Sequence, residues 1–283
     1  MHNGPEDAAD FAKKLGFSGV EMLEMPFAPR YLIIPDVDAA KKLKAVLDSR
    51  GITMSCFSVG INIFADKHGQ DINISGVEVL KKCAENAAAL GCPYMHHTLT
   101  IGLKKLPFDA PMTFDGMFDE LCDRAEEVAR YANSIGVTVI YEPQGSFVNG
   151  LRNFEVFYNE MKRRGVQVGV CGDIGNTLFV DEDPKLFFEK FAREIRHVHL
   201  KDYVKNCKEE YPEGAWSNSA GGTALAETDI GKGIIDIDAC MTSLLAAGYK
   251  GQFAIESVYP KSKYSSDNFV RDMEYLKAKY PEF

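Results

Sequence analysis

A chain of 283 residues, 46% of them hydrophobic, is long enough to bury the core of one large barrel or of two smaller domains. Its net charge of −9, with no block of lysine and arginine, disfavours a nucleic-acid partner. Seven cysteines without a C-x-x-C pair favour a reducing compartment. Because the sequence contains neither an apolar leader nor a segment of membrane-spanning length, we expect a cytoplasmic protein with no membrane partner.

Helical and strand-like segments alternate along the chain. Apolar spacing predicts helices at residues 5–15, 37–49, 76–90, 117–134, 154–164, 184–191, 236–247 and 267–280. Short apolar runs predict strands at residues 20–23, 52–57, 94–98, 137–142, 166–171, 195–202 and 253–256. A glycine such as Gly51 or Gly136 separates most helices from the strand that follows.

This repeat of helix, glycine and strand predicts parallel strands joined by crossover helices. Seven repeats favour a closed (β/α)8 TIM barrel over an open doubly wound sheet, and no glycine-rich phosphate-binding turn follows a strand. We predict one TIM-barrel domain over residues 1–283. Since the chain opens on a helix, the first barrel strand is either missing from this sequence or atypical.

The strand at residues 195–202 has an unusual polar side. Alternation places His197, His199 and Lys201 on one side and apolar residues on the other. A satisfied histidine on an edge strand is the ordinary explanation of a single His. The alternative is a polar side that faces the interior of a barrel and holds a metal at the strand end. The ends of three other strands favour this second interpretation.

Four predicted strands end in residues that are able to bind a metal: Glu142, Asp173, His199 and Glu256. In a TIM barrel such strand ends share one face, where the chemistry takes place. Three carboxylates and one imidazole suit Mn²⁺ or Mg²⁺ best, with Zn²⁺, Co²⁺ or Fe²⁺ as alternatives. A single acid would more simply cap the following loop or helix, but four at successive strand ends favour a metal site.

The same segments give the chain a resemblance to a known family. It is similar to the xylose-isomerase-like TIM barrels, the sugar phosphate isomerase/epimerase family, which includes ketose 3-epimerases and inosose-processing enzymes. The matching segments follow the family order at residues 16–21, 141–143, 172–176, 197–202, 231–236 and 248–256. Each segment alone is weakly specific, and together they are specific for the superfamily and not for a substrate.

The resemblance implies one divalent metal ion held by Glu142, Asp173, His199 and Glu256. It also implies an isomerase or epimerase that acts on a small keto-sugar or polyol through an enediolate, with the metal as Lewis acid. Glu142 and Glu256 would be the catalytic pair, one removing a proton next to the carbonyl and the other returning it. Asp173 and His199 would be metal ligands only.

Other residues near these strand ends are candidates for binding substrate or orienting ligands. Lys201 would bind substrate oxygens, although it equally fits as the partner of a neighbouring carboxylate. Asp202 would orient a metal ligand. Asn176 stands where many relatives have histidine; it is able to hydrogen-bond a sugar hydroxyl but not to take up a proton. Of His96 and His97, only one can face inward, and we select His97 as a substrate contact.

The connection at about residues 203–228 is longer than in compact epimerases. We predict that it forms a lid that excludes water. Trp216 within it is a candidate for stacking on a sugar face, with anchoring of the loop as the alternative.

Two other functions use the same fold. A dehydratase acting on an inosose begins with the same proton abstraction and differs in the oxygen that leaves. An apurinic endonuclease is less favoured, because that chemistry needs three metals and many histidines, and Asn176 replaces one of them. The expected partner is a small carbohydrate, and the resemblance implies a homodimer or homotetramer.

Overall fold

The computed structural model describes residues 5–24, 34, 36–64, 75–101, 103, 106–206, 208–210, 215–257 and 266–281. The chain divides into two compact units. The first unit comprises residues 1–148 and 153–169, and the second comprises residues 149–152 and 170–283.

Each predicted helix is present. In chain order they are α1 Pro5–Leu15, α2 Val37–Arg50, α3 Gly76–Ala89, α4 Phe114–Ser134, α5 Leu151–Arg163, α6 Pro184–Phe191, α7 Ile237–Ala247 and α8 Ser266–Lys279. Helix α4 begins three residues before the predicted start, because the Thr113 hydroxyl accepts the backbone N–H of Gly116 and caps the helix there. Gly51 and Gly248 end α2 and α7 in the left-handed conformation, which glycine adopts without strain.

Each predicted strand is present as well. The first unit contains four parallel strands that pair in chain order: β1 Gly19–Glu24, β2 Thr53–Val59, β3 Tyr94–His97 and β4 Thr138–Tyr141. Strand β2 is buried at every residue after Thr53, which is typical of parallel strands covered on both faces.

The second unit contains two groups of strands, and its first strand, β5 Val168–Asp173, enters the unit at Val170. β5, β6 Ile195–Leu200 and β10 Gln252–Ile255 are parallel, with β6 between the other two. β7 Asp202–Lys205, β8 Ser217–Asn218 and β9 Ala224–Thr228 are antiparallel, in the order β7-β9-β8. The predicted lid region is thus a small antiparallel sheet, which the alternation of helices and strands elsewhere in the chain did not indicate.

Among the described residues, no helix combines the length and the apolar character that crossing a bilayer requires.

Candidate active site

Three of the four predicted metal ligands lie in the second unit, on one face of its parallel strands. Asp173 of β5 pairs with His199 of β6, and His199 pairs with Ala254 of β10. Paired residues of parallel strands point to the same side, and Glu256 follows Ala254 by two residues. The strand register therefore directs Asp173, His199 and Glu256 to the same place.

The distances confirm that these three side chains converge. Nδ1 of His199 lies 3.1 Å from Oε2 of Glu256 and 3.6 Å from Oδ2 of Asp173. One ligand atom from each residue lies within 4.8 Å of the other two. Asp173 and His199 are buried, whereas the Glu256 side chain is 32% exposed. The cluster therefore has an open side at Glu256.

The turn after β5 orients the Asp173 carboxylate. Its Oδ1 accepts the backbone N–H groups of Gly175 and Asn176 at 2.8 and 2.7 Å, so Oδ2 faces the cluster. Burial alone would raise the pKa of Asp173, but the charge of Lys201 and the neighbouring His199 outweigh it and lower the pKa. The carboxylate is thus held ionised, as a metal ligand must be.

Lys201 lies among the predicted ligands. Its buried Nζ is 2.7 Å from Oδ2 of Asp173 and 2.7 Å from Oε2 of Glu256. Of the two roles considered for this residue, the structure displays the partner of neighbouring carboxylates. Its role in substrate binding stays a prediction.

The donor set of the second unit fits a divalent cation. Two carboxylates and one imidazole are ligands that Mg²⁺, Mn²⁺ and Zn²⁺ accept in proteins. The ammonium group of Lys201 already bridges both carboxylates, which indicates that positive charge is stabilised at this position. Asp173, His199 and Glu256 are thus the residues of this unit that would hold a metal.

The Asp202 carboxylate binds the backbone of the loop at residues 231–235. Its carboxylate oxygens accept the backbone N–H groups of Gly231, Gly233 and Ile235, at 2.9 to 3.2 Å, and that of Tyr203. Burial raises the pKa of Asp202, although these four hydrogen bonds oppose the shift. These contacts attach residues 231–235 to the start of β7, and the orientation of a metal ligand by Asp202 stays a prediction.

Two further predicted substrate residues have different surroundings. Asn176 is buried, and within the described residues its Nδ2 has no hydrogen-bond partner, so the amide is available to a ligand oxygen. Trp216 packs against Ala224 and Ala226, as Val204 also does, and the ammonium group of Lys208 lies 4.5 Å from the Trp216 ring centroid. These contacts match the alternative that Trp216 anchors the antiparallel sheet.

The remaining predicted ligand, Glu142, lies in the first unit. It follows β4 and is buried, and its Oε1 lies 3.4 Å from Nε2 of His96 on β3. His97 lies on the other face of β3. Its ring contacts Tyr141 edge-on at 5.2 Å, its Nδ1 lies 3.1 Å from the Thr98 carbonyl oxygen, and burial lowers its pKa to about 4. His96 is therefore the histidine beside Glu142, and the assignment of His97 as a substrate contact stays a prediction.

Sequence reasoning missed the residues that surround His96. The Ser58 Oγ lies 2.9 Å from Nδ1 of His96, and the Ser58 hydroxyl donates to the Glu21 carboxylate. Glu21 and His96 lie within predicted strands, but nothing local indicates that they share a partner. A serine in an apolar strand carries no signal by itself, because its contacts depend on the register of neighbouring strands.

Comparison with known proteins agrees with this architecture. A family model described as xylose isomerase-like TIM barrel matches residues 9–279. The chain is 26% identical over 159 residues to an inosose dehydratase of Bacillus cereus (strain AH820), which covers 55% of this chain and 53% of that protein. The chain thus spans about half the length of the curated relatives it matches.

Solved structures share the fold over nearly the whole chain. The apo form of the 3-keto-D-glucoside 4-epimerase YcjR from E. coli has a TM-score of 0.70 at 16% identity, covering 98% of this chain and 95% of its own. The IOLI protein, solved with a zinc atom, has a TM-score of 0.71 at 16% identity, and the match covers 99% of this chain and 92% of the IOLI chain. The predicted TIM-barrel fold is confirmed, and the chain belongs to the xylose isomerase-like TIM barrel family.

Proposed function

We propose that this protein is a divalent-metal-dependent isomerase or epimerase that acts on a small keto-sugar or polyol through an enediolate. The observation that carries the proposal is the convergence of Asp173, His199 and Glu256 at the ends of three parallel strands. In this fold the ends of the strands carry the chemistry. We propose Glu142, which follows β4, as the fourth ligand, on the basis of the family resemblance.

Two glutamates supply the proton transfers in this proposal. When bound, a divalent cation supplies Lewis acidity that stabilises the negative charge of the enediolate. Glu142 and Glu256 take and return the proton on the carbon next to the carbonyl. Asp173, held ionised, contributes negative charge to the site, and His199 contributes a neutral nitrogen ligand. Return of the proton to the opposite face gives an epimer, and return to the neighbouring carbon gives an isomer.

A metal-dependent dehydratase is the second candidate. It is favoured by the similarity to inosose dehydratases over about half of this chain. Such a lyase removes the same proton and then expels a hydroxyl group. The two candidates therefore predict the same first step and different products.

Incubation in D₂O with ketohexoses, ketopentoses and inososes separates these candidates. We expect deuterium to enter the carbon next to the carbonyl of one substrate, detected by NMR. A product of unchanged composition then identifies an isomerase or epimerase, and a product that has lost water in the mass spectrum identifies a dehydratase. Absence of deuterium uptake across the panel with metal-loaded protein would contradict both.

Metal dependence is tested separately. Elemental analysis of the purified protein should detect about one divalent ion per chain. Dialysis against a chelator should abolish turnover, and addition of Mn²⁺ or Mg²⁺ should restore it. Full activity after verified metal removal would rule out the proposed chemistry.

A further inference from the structure

The segment that leads into α5 contacts the turn that follows Asp173. The Nδ2 group of Asn149 donates to the backbone carbonyl oxygen of Asn176 at 3.0 Å. Both asparagines are buried, and both belong to the second unit. Asn149 therefore bonds to a residue that itself bonds to a predicted metal ligand, although it lies 24 residues before that ligand in the sequence.

The backbone determines which end of the Asn149 amide faces Asn176. The N–H of Gly150 lies 2.7 Å from Oδ1 of Asn149, and an N–H donor can bond only to the oxygen of a side-chain amide. The NH₂ group of Asn149 therefore faces the Asn176 carbonyl oxygen. An exchange of the amide oxygen and nitrogen would set two donors against each other at Gly150 and two acceptors at Asn176.

Asn176 is held on both sides of its α-carbon. Its N–H donates to Oδ1 of Asp173 at 2.7 Å, next to the N–H of Gly175 at 2.8 Å. Its carbonyl oxygen accepts from Asn149. Because hydrogen bonds fix both peptide groups that flank Asn176, the direction of its N–H depends on Asn149. That N–H in turn occupies Oδ1 of Asp173, which leaves Oδ2 to face His199.

A second contact attaches the same segment to the same turn. Oε2 of Glu182 accepts the N–H of Leu151 at 2.7 Å, and the N–H of Glu182 donates to the Thr177 carbonyl oxygen at 3.0 Å. Gly150 lies between the two attachments with a φ of 76°, and a Cβ there would lie 2.7 Å from Oε1 of Glu182. Glycine at this position thus permits the close approach that both attachments need.

We propose that Asn149 is a positioning residue for the metal site, which holds Asn176 so that Oδ2 of Asp173 faces the cation. The proposal rests on the proposed function, in which Asp173 is a metal ligand. Loss of the Asn149 amide would deprive the buried Asn176 carbonyl oxygen of this donor and loosen the turn. The Asp173 carboxylate would then sample more orientations before a cation binds, and ordering it would lower the affinity.

Affinity for Mn²⁺, measured by isothermal titration calorimetry on the full chain, is the first test and needs no substrate. Asn149→Leu preserves the approximate shape of the side chain and removes its donor and its acceptor. We expect the dissociation constant to rise about three- to tenfold, less than the roughly 10- to 100-fold typical of a residue that bonds directly to a metal ligand. Asn149→Ala, which adds no bulk, should show the same rise and keeps the test available if the leucine variant does not fold.

Asn153→Leu is the matched control. The Nδ2 group of Asn153 also donates to a backbone carbonyl oxygen, that of Phe147 at 2.9 Å, but both residues belong to the first unit. The substitution removes the same kind of hydrogen bond four residues further along the chain. It should leave the dissociation constant of Mn²⁺ unchanged.

The visible absorption of bound Co²⁺ gives the second test, because it reports the coordination geometry. The bands should shift in both Asn149 variants and should coincide with those of the wild-type protein in Asn153→Leu. A side chain that only anchored α5 would change the melting temperature and not this spectrum. Unchanged Mn²⁺ affinity and an unchanged Co²⁺ spectrum in the Asn149 variants would overturn the positioning role.

The failure of this proposal is distinguishable from failure of the proposed function. A wild-type protein that bound neither Mn²⁺ nor Co²⁺ would contradict the proposed function, and the positioning role with it. A wild-type protein that bound both cations, with Asn149 variants of equal affinity and identical spectrum, would contradict the positioning role alone.

Discussion

The two units hold their predicted catalytic glutamates by different means. In the first unit, Glu142 contacts a histidine that is itself held by a serine hydroxyl. In the second unit, Glu256 lies 2.7 Å from the ammonium of Lys201, which it shares with Asp173. A hydrogen bond fixes the orientation of the groups that it joins, whereas a buried cation chiefly balances the charge of the neighbouring carboxylates. The first arrangement therefore orients the ring of the histidine beside Glu142, and the second suits the assembly of several carboxylates in one place.

Removal of either carboxylate charge is expected to have the largest effect. Glu142→Gln and Glu256→Gln should each lower kcat by about 10²- to 10⁴-fold, because glutamine cannot transfer a proton. Steady-state assays on the active substrate measure this, with Glu274→Gln on the exposed side of α8 as the control. Near-wild-type turnover in either variant would rule out transfer by two carboxylates. Glu256→Gln should also alter the melting temperature more than Glu142→Gln, since it removes a partner of Lys201.

Removal of the Lys201 ammonium in the second unit is expected to lower the free energy of unfolding more than removal of the Ser58 hydroxyl in the first unit. Lys201→Met leaves two carboxylates without their ammonium, so we expect a loss of about 3 kcal/mol in the free energy of unfolding. Ser58→Ala should cost about 1 kcal/mol. Urea denaturation of metal-free protein measures both, and Lys250→Met, at an exposed lysine, is the control.

Added Mn²⁺ should reduce the deficit of Lys201→Met and leave that of Ser58→Ala unchanged, because the metal supplies positive charge to the same carboxylates. If Mn²⁺ changed the free energy of unfolding of the two variants equally, the proposed difference between the two units would be contradicted.

Asp202→Asn should have a smaller and local effect. The variant replaces one accepting oxygen by an amide, so the N–H groups of Gly231, Gly233 and Ile235 lose part of their acceptor. We expect amide hydrogen exchange to accelerate about tenfold at these positions. The Ala239 amide, held by the Asp236 cap, should not change. Uniform acceleration at all four amides would indicate global destabilisation instead.

The smallest expected effect concerns charge at the surface of the first unit. Hydrogen bonds from Arg163 and then Arg164 lower the pKa of Glu160 to about 2. A lowered carboxyl pKa stabilises the fold above the unfolded value, about 4.5, and this contribution is lost as the pH falls towards 2. Urea denaturation at several pH values in this range should show that the free energy of unfolding depends less steeply on pH in Arg164→Met than in the wild-type protein. Identical slopes would contradict this contribution.

Local patterns were sufficient for most of the fold. Apolar periodicity, glycines and caps act within a few residues, which is why α1 and α6 have the predicted bounds. Alternation along β6 correctly placed His199 and Lys201 on one side, and register then placed Asp173 beside them. Residues 203–228 were predicted as a lid, and the strands in this region were missed because β7 and β8 each pair antiparallel with β9, which breaks the repeat used for the rest of the chain.

The sequence by itself thus determined the succession of helices and strands, the residue types at the strand ends and the family. Only the tertiary structure decided that His96 rather than His97 contacts Glu142, that Asp202 binds a backbone loop, and that Ser58 joins Glu21 to His96. The physical reason is strand register. A shift of one residue, such as the bulge at Ser55, reverses the face of a side chain and is encoded in no single segment.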